Sequence, residues 1–454
     1  MSYVTITKGA EDWRIYQQKN GYADIEIEGE RQLFGPNDHT WLRVVSEDDM
    51  TTVVDWTKAQ ETDGIDKKLF KITLHVPAGG LYRIDTTVAG GLQGIDWSAQ
   101  GQKIYHVGVG DLFIIAGQSN SAGYGRTPVS DPPELGVHLC KNSEEWSLAM
   151  HPMNDPHNTK HTANYEATSG HSPYLAFGKM MKKHLGYPIG LIQESLGGSP
   201  LSRWNKRLDG SLYNSMVESV RRCTDGKMEV AGVLWYQGCS DANNNDAPLY
   251  FERFAEMVGD MRADFKSPDL PIYTVQLNKV LDYSNDFWAV IRETQRMAPH
   301  EIENVFVVPA ADLGLNDGIH NSSASNIVIG ERLARVALEG YYKKNVYGFA
   351  PEIESAVYDG KTVTLTFAHV HQYIQLCSVP VHMQQFVIED ESGVVPSKSY
   401  SASLNKLFFE PERPLCGKMT VSFLKTANPS PNLPLDVGSG LPLLAFDNFE
   451  IKNA

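Results

Sequence analysis

The chain has 454 residues with 42% hydrophobic and 21% charged content, the composition of a folded globular protein of two or three domains and not of a disordered one. Its formal net charge is −15, from 55 acidic and 40 basic residues. That excess argues against a nucleic-acid or anionic-membrane partner, since both need clustered Lys/Arg.

The five cysteines, Cys140, Cys223, Cys239, Cys377 and Cys416, are scattered, odd in number and without a C-x-x-C. Neither a disulfide framework nor a zinc knuckle is expected. The opening MSYVTITKGAEDW has no apolar signal core. No run of about 18 apolar residues is present to span a bilayer. The expected location is the cytoplasm, or outside the cell if a leader has been removed.

Residues 1–108 read as a β module. KITLHV (71–76), LYRIDTTV (81–88) and QKIYHVGV (102–109) are short, β-branched or aromatic, and separated by Gly-rich turns. From 109 to 345 the texture changes. FIIAG (113–117), YPIGLIQES (187–195), VAGVLWYQG (230–238), PIYTVQL (271–277) and NVFVVPA (304–310) are near-continuous apolar runs, as in a parallel sheet covered on both faces. Helical patterns lie between them at 172–186, 211–223, 250–265 and 325–342. The first has Pro just inside its start and Gly at its end. Strand–helix alternation predicts an α/β layer fold. From 346 to 454 strands return as KTVTLTF (361–367), YIQLCSV (373–379), QFVIEDESG (385–393) and KMTVSFL (418–424), with Asp359-Gly360 as a tight turn.

The apolar run 113–117 stops abruptly at Gly117-Gln118-Ser119-Asn120. A serine just past the first strand of such a sheet stands where these folds bind ligands. A nucleophilic serine needs a base, and the base an orienting acid. DLGLNDGIHNSS (312–323) offers Asp317 and His320, three apart in a Gly/Asn-rich loop. Acyl transfer also needs oxyanion donors. LGGSPLSRW (196–204) supplies glycine N–H groups, and VLWYQGCSD (233–241) ends a strand with Gln237.

These four stretches, in this order, resemble the SGNH hydrolase superfamily, and within it the sialate O-acetylesterase and carbohydrate acetylesterase branch. The resemblance implies a three-layer, flavodoxin-like parallel-sheet domain at 109–345, flanked by β-sandwich-like modules at 1–108 and 346–454. It implies Ser119 as nucleophile, Asp317 and His320 as its acid and base, and Ser119, Gly198 and Gln237 around the oxyanion. Gln118, Asn120, Arg203 and Trp204 are expected to touch substrate. Arg203 would pair with a sugar carboxylate and Trp204 would stack on a sugar ring. The chain departs from the family at Cys239, where a Glu is usual, so Asp317 is the only motif-matched acid.

The implied activity is removal of acetyl groups from O-acetylated sialic acid. An acetylxylan or other polysaccharide acetylesterase is the nearest alternative, and a non-catalytic glycan-binding protein is the alternative of another class. No cofactor is expected and no metal. His151, His157 and His161 lie in a Pro/Asn-rich loop that suits a pocket wall better than a ligand set. Arg126 and His171 are further pocket candidates.

Overall fold

The computed structural model describes residues 2–97, 99–160, 163, 165, 170–283, 286–376 and 385–454. Its organising element is one strand, Ala99–Gly117. The first half pairs antiparallel with Gly79–Ala89. The second half lies between Ile189–Gln193 and Gly232–Tyr236, parallel to both. The expected boundary between residues 108 and 109 therefore falls inside a strand, and the N-terminal β region and the α/β region share one sheet.

The order across the α/β part is Trp146–Leu148, Val137–Cys140, Ile189–Gln193, Ala99–Gly117, Gly232–Tyr236, Ile272–Val275, Val305–Val308. All neighbours are parallel except the first pair. Phe113, Ile114, Ile115, Leu191, Ile192, Val233 and Leu234 are essentially inaccessible, which is why these strands read as unbroken apolar runs. The four expected helices are present at Tyr174–Leu185, Ser211–Cys223, Tyr250–Asp264 and Ser323–Gly340. The first ends in a left-handed Gly186 whose N–H bonds to Lys182 O. It packs against the last helix at Gly330, where a Cβ would meet Pro173 O at 2.0 Å.

A fifth helix, Phe287–Glu301, was not expected. Its buried face carries Arg292, Gln295 and Arg296. Arg292 donates to Leu277 O (3.0 Å), Leu424 O (3.0 Å) and Thr426 O (2.9 Å), fastening the α/β part to the C-terminal β region. That region contains Glu352–Tyr358, Val363–Ala368, Lys406–Pro411 and Ser397–Ser403 in one sheet, and Phe386–Asp390, Thr420–Phe423 and Phe446–Glu450 in another. Val363, Leu365, Phe409, Val421, Phe423 and Phe446 form its core. Part of the expected strand 373–379 lies outside the described residues. Cys377 is also outside them.

The cysteine expectation needs one correction. Cys140 and Cys223, 83 positions apart, are paired as a disulfide between the end of strand Val137–Cys140 and the end of helix Ser211–Cys223.

Candidate active site

The central strand ends at Gly117, whose φ of +129° and close approach to Tyr236 O (2.3 Å from a would-be Cβ) admit only glycine. Gln118 N donates to Tyr236 O at 3.0 Å. The chain then turns into a single helical turn, Ser119–Ala122. Beneath it, Ser121 Oγ donates to Ala116 O (2.9 Å) and accepts from Ser195 Oγ (2.8 Å). Ser119 heads this pinned turn at the C-terminal edge of the sheet, 7% exposed.

Asp317 and His320 occupy the loop before helix Ser323–Gly340. Asp317 Oδ1 accepts the main-chain N–H groups of Ile319 (2.9 Å) and His320 (2.8 Å), and Oδ2 lies 2.8 Å from His320 Nδ1. Partial burial pushes the Asp317 carboxyl up, but the His320 and Ile319 N–H groups and the imidazole outweigh it and hold it at about 2. With Nδ1 on the carboxylate, Nε2 is the nitrogen left for proton transfer. The Tyr124 ring stacks on His320, centroids 4.5 Å apart.

The two halves are joined by Asn120. Its Oδ1 accepts Asn321 N (2.9 Å) and its Nδ2 donates to Ile319 O (3.2 Å). Asn278 reinforces the same loop through Ile319 O (2.9 Å) and Asn321 Oδ1 (2.8 Å). The neighbours of Ser119 and His320 are thus bonded to one another. Among the described residues no hydrogen bond joins Ser119 Oγ to the imidazole, and such bonds are often long before substrate is bound.

Gly198 is exposed, with φ +66° and open space where a Cβ would be. Its loop is held beside the Ser119 turn by Leu196 N on Gly117 O (3.0 Å). The far end is held by Leu201 N on both carboxylate oxygens of Asp241 (3.2 and 3.0 Å). Asp241, quoted in the sequence block but given no role there, is the buried anchor of this loop. Burial pushes its carboxyl up to about 6 against the hydrogen bonds from Gln237 and Leu201.

Several expectations are corrected by burial. Gln237 is inaccessible, and its Nε2 donates to Ser199 O (3.1 Å) and the Asp241 carboxylate. It braces the glycine loop and is not open to an oxyanion. Gln118 is 3% exposed, and its Oε1 accepts Gly238 N (3.1 Å) and Ser240 N (3.3 Å). Asn120 is 2% exposed and committed to the 319–321 loop. Neither amide is placed to meet substrate. Trp204 is fully buried, edge-on to Trp235, so it stacks on protein and not on a sugar. Arg203 bonds Ser211 Oγ (3.1 Å) and Ala163 O (3.3 Å) and lies 3.8 Å from Asp209. These contacts make it a brace for the loop and the start of the next helix. Burial pushes the Cys239 thiol up to about 12, the opposite of what a nucleophilic thiolate needs.

Of the loop histidines, His157 is exposed on Asp155, and His161 lies outside the described residues. His151 instead meets His171. Both Nε2 atoms lie 3.0 Å from Asp131 Oδ2, and Lys179 Nζ lies 2.6 Å from Oδ1. The rings stack with centroids 3.8 Å apart. Two stacked rings aim at a shared point from an acute angle, whereas a tetrahedral ion spreads its ligands far wider. With Lys179 already on the carboxylate, the set fits an aspartate clamped by three donors better than a metal site. It lies behind the site, since His171 bridges to Gly125, next to Tyr124.

Residues 109–339 match the sequence profile of the family described as carbohydrate esterase, sialic acid-specific acetylesterase. The chain is 26% identical over 250 residues to a probable carbohydrate esterase of Arabidopsis thaliana, spanning 51% of this chain and 91% of that one. It is 30% identical over 211 residues to the sialate O-acetylesterase of Homo sapiens, spanning 37% of this chain and 39% of that one. The crystal structure of a carbohydrate acetylesterase from Xanthomonas citri shares the fold over 98% of this chain and 99% of its own, with a TM-score of 0.69 at 20% identity. Because the family profile covers just over half of its length, this chain belongs to the carbohydrate esterase, sialic acid-specific acetylesterase family.

Proposed function

We propose that the protein removes acetyl groups from O-acetylated sialic acid through an acyl-enzyme on Ser119. The observation that carries this reading is the Asp317–His320 hydrogen bond, on a loop tied to the Ser119 turn by Asn120. His320 Nε2 takes the hydroxyl proton as Ser119 Oγ attacks the acetyl carbonyl. The carbonyl oxygen becomes an anion received by the main-chain N–H groups of Ser119 and Gly198. Collapse expels the sugar oxygen, which takes the proton from His320. Water, deprotonated by the same nitrogen, attacks the acetyl-enzyme, and acetate leaves as Ser119 regains its proton. Asp317 holds the tautomer and stabilises the imidazolium.

Arg126 takes the place expected for Arg203 as partner of the sialate carboxylate. It is exposed, and among the described residues it has no ion pair. Its guanidinium lies 5.8 Å from the centroid of the Tyr124 ring that stacks on His320. In a chain of net charge −15, an anionic substrate needs such a local cation. We further read residues 346–454 as a β-sandwich-like module beside an α/β catalytic region that shares its sheet with the N-terminal β region through Ala99–Gly117, in an enzyme of the cytoplasm or, in keeping with the Cys140–Cys223 disulfide, of an oxidising compartment.

The test is acetate release from a panel of O-acetylated sialic acids beside acetylated xylo-oligosaccharides, with wild type and Ser119→Ala. Cleavage of the sialates, lost by several orders of magnitude in the variant at unchanged Tm, is the expected result. Preference for the xylo-oligosaccharides would replace the sialate reading with a neutral-polysaccharide one. Undiminished turnover in the variant would remove Ser119 as nucleophile.

A further inference from the structure

A cavity of about 530 Å³ opens between the outer face of the N-terminal sheet and the loop after helix Ser211–Cys223. It is remote from Ser119. Leu112 lines it, and the strand runs roughly 17 Å from Leu112 to its end at Gly117 at about 3.3 Å per residue. One wall is a period-two stripe of the strand Tyr22–Gln32: Tyr22, Asp24, Glu26 and Glu28.

Tyr22 is the exposed aromatic of this wall. It is 45% exposed. One face stacks flat on His75, centroids 4.4 Å apart and planes 12° apart. Asp24 fixes that histidine by a 2.7 Å contact to Nδ1. The charges around the ring are largely paired within the protein. Lys71 lies 3.6 Å from Glu26 and 3.3 Å from Glu28, Arg14 lies 2.8 Å from Asp225, and Lys19 lies 3.8 Å from Glu229. A site of paired charges has no net call for an ion, while its carboxylates and ammonium groups still offer hydrogen-bond acceptors and donors. A rigid aromatic face beside such groups matches a pyranose ring, which has one apolar C–H face and an equatorial belt of hydroxyls.

We propose that this cleft is a second, non-catalytic site for neutral pyranose residues of a glycan chain, with Tyr22 as the stacking platform. The proposal rests on the carbohydrate reading of the active site but not on its chemistry. It is tested by affinity electrophoresis of the full chain in gels containing deacetylated xylan or galactan, comparing wild type, Tyr22→Ala and Ser119→Ala. Retardation of wild type and Ser119→Ala by at least one polymer, weakened ten-fold or more in Tyr22→Ala, is expected. Hydrolysis of p-nitrophenyl acetate by Tyr22→Ala should stay at the wild-type rate. No retardation by either polymer, or retardation that Tyr22→Ala leaves unchanged, overturns the proposal. Loss of esterase activity in Ser119→Ala without change in retardation keeps the two sites separate, so either reading can fail without the other.

Discussion

Asn120 and Asn321, 201 positions apart, share a 2.9 Å hydrogen bond from the main-chain N–H of one to the side-chain oxygen of the other. One follows Ser119 and the other follows His320. The bond ties the Ser119 turn to the Asp317–His320 loop. Asn120→Ala leaves Asn321 N–H buried without its acceptor, a cost of about 1–3 kcal/mol. The expected outcome is a lowered Tm and, well below that Tm, a kcat reduced about ten- to hundred-fold with a smaller change in KM. Steady-state kinetics beside a melting curve checks it, and unchanged kcat would leave the bond with a structural role only.

Asp317→Asn should reduce kcat by about ten-thousand-fold, as loss of the tautomer-holding carboxylate does in serine hydrolases. The carboxyl is held at about 2, so it stays ionised far into acid. A near-normal rate in Asp317→Asn would place the orienting acid elsewhere.

Asp241 makes a pH prediction of the opposite sign. Its carboxyl, raised to about 6 in the folded chain, has an ordinary value near 3.9 when unfolded. Between those values the folded state binds more protons than the unfolded one, so its contribution to stability falls as pH rises from about 4 to 6 and is level beyond. Asp241→Asn should flatten that part of the Tm–pH curve. The new amide's oxygen can keep accepting from Gln237 Nε2, which also donates to Ser199 O. An unaltered curve would mean that the Asp241 carboxyl does not titrate in that window.

Much of this site is legible in the sequence because its main-chain features are. Gly117 and Gly198 follow apolar runs, and at Gly117 the φ of +129° and the close Tyr236 carbonyl need glycine. Asp317 and His320 are local to one loop, and their three-residue spacing suffices for the ring to reach the carboxylate. Side-chain direction is what the sequence hides. Trp204 and Gln237 sit in the expected blocks but point into the protein. Asn120 and Asp241 take their roles from hydrogen bonds to distant loops. Helix Phe287–Glu301 escapes a hydrophobic-period reading because buried Arg292, Gln295 and Arg296 stand where apolar residues mark other helices, with Pro299 in its last turn. The Cys140–Cys223 pair joins elements 83 positions apart and has no spacing signature.

Metal removal should leave activity unchanged. Asp131 is the one carboxylate that two histidines share among the described residues, and Lys179 is bonded to it. Dialysis against EDTA followed by acetate-release assays checks this. Activity lost to EDTA and restored by zinc would turn the Asp131–His151–His171 clamp into a ligand set.

Arg126 and Arg203 separate substrate recognition from scaffolding. Arg203 is tied to Ser211, Ala163 and Asp209. Arg203→Ala should therefore lower Tm and depress all substrates by the same factor. Among the described residues Arg126 has no such ties through its guanidinium, which lies 5.8 Å from the Tyr124 ring centroid. Removing a charge-assisted hydrogen bond costs about 1.5–3 kcal/mol, so Arg126→Ala should raise KM for O-acetylated sialate about ten-fold or more. Tm and hydrolysis of neutral p-nitrophenyl acetate should stay near wild type. Raising the salt concentration should weaken wild-type binding of the sialate and leave the variant nearly unaffected, since an exposed charge pair is screened within about 10 Å at 0.1 M ionic strength. Equal losses on the charged and the neutral substrate would remove Arg126 from recognition of the carboxylate.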